Sequence, residues 1–185
     1  FAGQYAKKLR KTVVPSNDVA GFIGNGHFMR DALHGIAEVE RLAPEFGFVD
    51  AVYMVNKVSQ DFLIRPMGIF QLVDYVGLDI CQCILRVMND RSVGAGLRSP
   101  LIDRLVAQGV MGGQFADGSQ KDGFLKYEKG RPNGVYDPEA KAYAPFAEVG
   151  PRCDVRLGPL PASGKPWKSV IQVADRPGYL QGYFR

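Results

Sequence analysis

The succession of helix stops and starts between Arg65 and Asp79 constrains this chain most. Arg65-Pro66 interrupts whatever precedes it, because the residue before a proline avoids the helical region. Residues 67–76 then read as a short helix. Gly77 is a natural stop, and Asp79 is placed to cap a following helix that runs to about Met88. Upstream, Phe22, Met29, Leu33, Ile36 and Val39 recur at helical spacing along one long helix. Pro44 is expected to end it. Residues 47–63 give a second helix with Val49, Val52 and Val55 inward. Downstream, Ser99-Pro100 is a cap followed by proline at the first helical position, and Gly109 closes that helix. The centre of the chain is therefore read as helical.

The flanks differ. Residues 2–11 are helix-compatible, with cations at the end that suits them. Thr12 to Val14 read as a short strand stopped by Pro15. Residues 15–18 form a turn whose Asp18 could cap the long helix. Gly94-Ala95-Gly96 reads as a flexible connection. Residues 112–123 are rich in glycine and polar side chains. Phe124 to Tyr127 and Gly134 to Tyr136 are expected to pair as a hairpin around Arg131-Pro132-Asn133-Gly134. Eight of the twelve prolines lie between Pro132 and Pro177. Residues 138–185 are accordingly expected to be an irregular arm, with Arg156-Leu157 and Ser169 to Val173 as short extended pieces.

Composition narrows the function classes. The 185 residues are 46% hydrophobic, enough for one sizeable core. No apolar run approaches a membrane span. The cluster Lys7, Lys8, Arg10, Lys11 is followed by no apolar stretch of the kind a secretory leader needs. Phe1 in place of a start methionine suggests a processed or excised chain. Net charge is +4. Acidic and basic residues are interspersed, and no basic stripe interleaved with aromatics points to nucleic acid. Three cysteines argue against a disulfide framework. Cys81 and Cys83 would face nearly opposite sides of a helix, so they would not clamp one metal.

Few residues offer chemistry. Gly24-Asn25-Gly26 resembles the start of a dinucleotide loop, but Met29 stands where the third glycine belongs, and the glycines open a helix with no strand just before. His27 and His34 are the only histidines. His27 would point away from Asn25 on a helix, and both read as surface or packing residues. Asp74 and Asp79 read as cap and hydrogen-bond residues. Asn25 offers two donors and a carbonyl acceptor without charge. It either satisfies backbone groups at a helix start or orients a substrate oxygen. Pro66, Met67, Gly68 and Phe70 suit an apolar pocket wall, or are ordinary core residues.

Three segments resemble the L-3-hydroxyacyl-CoA dehydrogenases. Arg-Pro-Met-Gly-Ile-Phe-Gln-Leu-Val-Asp-Tyr-Val-Gly-Leu-Asp, from Arg65 to Asp79, is similar to that family's Pro-Met-Gly-Pro-Phe-x-Leu-x-Asp-x-x-Gly-Leu-Asp. Ala20-Gly21-Phe22-Ile23-Gly24-Asn25 is similar to its Pro-Gly-Phe-Ile-x-Asn-Arg. Lys121-Asp122-Gly123-Phe124-Leu125-Lys126-Tyr127 resembles its Gly-Lys-Gly-Phe-x-x-Tyr. Ala20, Gly26, Arg65 and Ile69 depart from the commoner proline, arginine, histidine and second proline. The resemblance reaches from Phe1 to about Asp137. It implies that Asn25 faces the active site as a catalytic residue, and that Pro66, Met67, Gly68 and Phe70 line the acyl end of the substrate pocket. The catalytic histidine and its glutamate would lie upstream of Phe1.

The resemblance implies a mainly α fold, a helical domain like the C-terminal domain of 6-phosphogluconate dehydrogenase with a short Rossmann remnant. Residues 1–17 would be the last helix and strand of the nucleotide-binding domain, residues 18–137 the helical domain, and residues 138–185 the arm. The parent would be an NAD-dependent enzyme of fatty-acid β-oxidation, oxidising 3-hydroxyacyl-CoA to 3-oxoacyl-CoA. NAD would be bound by the upstream domain. The expected partners are the acyl-CoA substrate, that upstream Rossmann domain and a second copy in a homodimer, with no nucleic acid and no membrane. The expected location is the cytoplasm, or the mitochondrial matrix or peroxisome in a eukaryote. The alternatives are a non-catalytic oligomerisation module of the same fold and a related dehydrogenase for another 3-hydroxy acid.

Overall fold

The computed structural model describes residues 1–91 and 96–185. The chain is mainly α, with one small sheet. Its helices are α1 (Ala2–Lys8), α2 (Gly24–Phe46), α3 (Phe48–Lys57), α4 (Ile69–Val76), α5 (Leu78–Arg91), α6 (Pro100–Ala107), α7 (Phe146–Leu157), α8 (Trp167–Val170) and α9 (Arg176–Tyr183). A π-helical turn, Val58–Phe62, extends α3. The sheet holds β1 (Leu125–Glu128), β2 (Arg131–Asp137) and β3 (Ala142–Pro145), antiparallel in that order.

The core lies where α2, α3, α4, α5 and α6 meet the sheet. Met29, Ala32, Ile36 and Val39 of α2 are buried on one stripe, as the helical spacing requires. They meet Val52, Phe70, Val73, Leu78, Cys81, Leu85, Ile102 and Leu105, Phe124 just before the sheet, and Leu125 and Val135 within it. Pro44 does not end α2. A proline near a helix C-terminus removes one donated bond but leaves the last carbonyls free to turn, and the helix runs to Phe46. Gly47, at φ +85, makes the real stop.

Gly77 separates α4 from α5 as expected. Its φ is +104, and a β-carbon there would meet the Asp79 carboxylate at 2.9 Å. Ser99 caps α6 by accepting from the Ile102 amide at 3.1 Å, with Pro100 in the first helical position. Asp18 caps nothing: Ile23 immediately precedes α2, without a side-chain cap. Of the Gly94-Ala95-Gly96 connection, Gly94 and Ala95 lie outside the described residues.

Three expectations are corrected. Thr12 to Val14 form no strand, since no edge lies beside them; Val13 and Val14 are exposed. The hairpin turns three residues earlier than expected, at Lys129-Gly130. Both have positive φ, the geometry of a tight primed turn. Pro132 then sits in β2, tolerated beside a bulge at Lys126/Tyr127. Residues 138–185 are not an irregular arm. Ala142–Pro145 completes the sheet, and Arg156-Leu157 end helix α7. Ser169 to Val173, expected to be extended, instead close helix α8 at Val170 and continue as a turn. Three prolines here stand beside helix starts, where a missing amide costs nothing: Pro145 and Pro166 immediately precede α7 and α8, and Pro177 lies in the first turn of α9, while Pro151 is carried inside α7.

Helix α7 packs on α3. Val149 and Cys153 join Met54 in a small second core, and Phe146 meets Tyr53 edge to face at 5.0 Å. The Asp50 carboxylate, buried in α3, accepts from Arg152 Nε at 2.8 Å. Asp154 accepts from Lys57 at 2.8 Å and from the Tyr53 hydroxyl at 3.1 Å.

Candidate active-site face

Helix α2 begins from a left-handed pair, Gly21 at φ +88 and Phe22 at φ +45. A β-carbon on Gly21 would lie 3.0 Å from the Gly26 nitrogen and 3.1 Å from Met88 Sδ. Glycine is thus required for α2 to enter close against α5. Asn25 follows in the first turn. It lies one, two and three turns before Met29, Ala32 and Ile36, on the stripe that faces the core. Yet it is exposed, and its side chain makes no hydrogen bond among the described residues. Gly26 beside it is buried, but the position that Asn25 holds on the stripe, one turn before Met29, is left uncovered.

The residues present do not fit a dinucleotide. Gly24 to Gly26 are already helical, the residues before them form turns with no strand, and a phosphate cradle needs both a strand and a free glycine loop.

The second candidate segment divides. Phe70 is fully buried, its ring centroid 4.6 Å from that of Phe124, so it is a core residue and not a pocket wall. Gly68 is buried because a β-carbon there would fall 2.2 Å from Asn56 Oδ1. Pro66 is exposed and Met67 half-buried. These two remain available to a ligand. Ahead of them the π turn gives way to Ile64, which is buried at φ +51, an uncommon conformation for a β-branched residue.

Two residues that sequence reasoning missed hold this loop. Asn56 Oδ1 accepts from the Phe70 and Gln71 amides at 3.1 and 3.2 Å. Ser59 Oγ accepts from the Ile69 amide at 2.8 Å and donates to the Asn56 carbonyl. Together they cap α4 from a neighbouring helix. The only signal in sequence was a pair of polar residues on an inward helical face. Arg65 pairs with Asp31 of α2, tying the loop to that helix. Asp31 lies six residues beyond Asn25, about 9 Å along the axis.

Asp74 is fully buried in α4. Its carboxylate accepts from the Phe124 amide at 2.6 Å, the Leu125 amide at 2.9 Å and the Tyr127 hydroxyl at 3.0 Å. Burial pushes its pKa up to about 7, against the pull of those three donors. Gly123 must lack a side chain, since a β-carbon would lie 2.1 Å from Asp74 Oδ1. Asp74 is therefore a clamp between α4 and β1, a hydrogen-bond role and not a catalytic one. His27 and His34 are both exposed on α2, and neither makes a hydrogen bond among the described residues.

The model of the 3-hydroxyacyl-CoA dehydrogenase C-terminal domain matches residues 21–127. That span holds Asn25, the Arg65–Phe70 segment and Asp74, and it ends within β1. A probable 3-hydroxybutyryl-CoA dehydrogenase of Deinococcus radiodurans is 30% identical over 124 residues, 63% of this chain and 40% of the relative. A 3-hydroxybutyryl-CoA dehydrogenase of Bradyrhizobium diazoefficiens is 30% identical over 131 residues, 70% of this chain and 41% of the relative. FadB2 of Mycobacterium tuberculosis has a similar structure, with a TM-score of 0.54 and 31% identity over 66% of this chain and 40% of that one. The chain spans about 40% of the length of the relatives it matches. By the match over the greater part of its length, the chain belongs to the 3-hydroxyacyl-CoA dehydrogenase C-terminal domain family.

Proposed function

We propose that the chain is the substrate-binding helical half of an NAD-dependent 3-hydroxyacyl-CoA dehydrogenase of fatty-acid β-oxidation. The observation that carries this reading is Asn25, a polar residue on the inward stripe of α2 at the end where the core stops. An amide there suits an interface with a second domain, where its N–H groups would hold the oxygen of the reacting hydroxyl or ketone. Pro66 and Met67 would flank the acyl end, held in place by Asn56, Ser59 and the Arg65–Asp31 pair. NAD would be held by a nucleotide-binding domain, together with the acid-base group that this chain lacks a candidate for.

A homodimer through the helical half belongs to the same reading. Tyr75, Ile80, Val87, Met111 and Phe115 are exposed, and Ile80 and Val87 lie two turns apart along α5. Apolar side chains gathered in this way suit an interface between copies.

The test is Asn25→Ala in a protein that joins this chain to the nucleotide-binding domain of a relative. Reduction of acetoacetyl-CoA should fall in kcat by about ten- to a thousandfold, with NADH affinity nearly unchanged. Wild-type kinetics in that variant would return Asn25 to a purely structural role.

A further inference from the structure

A groove of about 360 Å³ runs between α2, the α3–π segment and the end of α7. It lies on a side of α2 turned from Asn25: Asp31, His34, Glu38 and Leu42 line it, together with Gly35 from the edge of the buried stripe. Its walls are apolar, from Leu42, Phe46, Met54, Val58 and Leu157. Leu157 and Arg156 come from α7, beyond the residues that the family model matches. The groove is thus built partly from residues outside the matched span.

The charges at its rim are unbalanced. Asp31 pairs with Arg65, and Glu38 with Arg41. Arg156 is left over. The carboxylate nearest to it is Asp50, at 3.5 Å, which Arg152 already holds by several bonds, one at 2.8 Å. Arg156 is also stacked over the Phe46 ring, 4.7 Å from its centroid, and Phe46 is itself a wall of the groove. A guanidinium seated over an aromatic ring at the mouth of an apolar groove is pre-organised for an anion whose tail the groove would cover.

The geometry points to a second binding site, for a medium-chain fatty carboxylate, with its alkyl chain along Leu42, Met54 and Val58 and its carboxylate on Arg156. The volume falls in the range of small-molecule sites, about 300–1,000 Å³. Ser59, Arg65 and Ile69, from the segment that carries Pro66 and Met67, line one end of the groove, whereas Asn25, Pro66 and Met67 themselves do not.

Calorimetric titration of the 185-residue chain with octanoate, decanoate and dodecanoate tests it. Binding should saturate at one per chain and tighten by about three- to fourfold for each added methylene. Arg156→Gln should weaken dodecanoate by about ten- to a hundredfold while the thermal melting curve holds, since Arg156 is exposed. Dodecanol should bind the native chain about as weakly as dodecanoate binds Arg156→Gln. Val58→Trp should abolish binding by filling the groove. Absence of saturable dodecanoate binding would overturn the proposal. So would equal affinity for dodecanol and dodecanoate, or tighter binding of decanoyl-CoA that ignores Arg156→Gln.

Discussion

At the scale of single residues, the site depends on side chains that bind backbone groups far along the chain. Asp74 holds Phe124, Leu125 and Tyr127 by three bonds. Asp74→Ala would leave those donors buried and unpaired, and should cost about 3–5 kcal/mol in urea unfolding. The same group sets a pH dependence. Burial raises its folded pKa from 3.8 to about 7, so the folded chain holds that proton more tightly than the unfolded chain. The contribution is complete below about pH 4 and is lost as pH rises toward 7. Unfolding midpoints between pH 4 and 8 should show that decline, and Asp74→Asn should remove it. Asn56→Ala should cost about 1–2 kcal/mol through the α4 cap, and Gly68→Ala should displace the same cap. A double-mutant cycle should find the two costs far from additive. The local devices were legible in sequence: Ser99-Pro100 and Gly77 act within a turn of themselves. Asn56 and Ser59 were not, because their partners lie more than a helix away and no local rule names them.

At the scale of elements, the C-terminal quarter matters more than its composition suggested. Its prolines imitate a linker, yet Pro145, Pro166 and Pro177 stand at or just before helix starts. Density of proline does not reveal position within a helix, and position decides whether proline breaks or begins one. Conversely, Thr12 to Val14 have strand-like side chains but no edge to pair with, and strand preference without a partner gives no strand. Helix α7 stabilises α3 through Asp50, Tyr53 and Met54. Removing residues after Asp137 would strip β3 from β2 and expose that face. Amide hydrogen exchange of the truncated chain should show α3 and β2 losing protection, while α5, which touches neither β3 nor α7 closely, keeps most of its own. Arg152→Ala should reproduce part of this loss, about 1–2 kcal/mol, since Asp50 is buried and Arg152 half-exposed.

At the scale of the whole molecule, the helical architecture was legible because the core stripe of α2 and the breaks around α4 are both local patterns. The candidate face was legible only through motif resemblance: Asn25 lies in the first turn of α2, where that resemblance puts it, but nothing in sequence showed that its side of the helix is left uncovered. Phe70 was assigned to a pocket wall by that resemblance and lies in the core instead, because burial depends on Phe124, a residue far away in sequence. The exposed apolar residues on and beside α5 lead to a further expectation. Light scattering should report a dimer, and Val87→Asp should yield monomers; a stable pair would bury about 1,600 Å². The most direct measurement of the central claim is NADH-dependent reduction of acetoacetyl-CoA by the purified 185-residue chain, beside the same chain joined to a relative's nucleotide-binding domain. The account expects no turnover from the chain alone and measurable turnover from the joined protein. Robust turnover by the chain alone, or none from a folded joined protein that binds NADH, would contradict it.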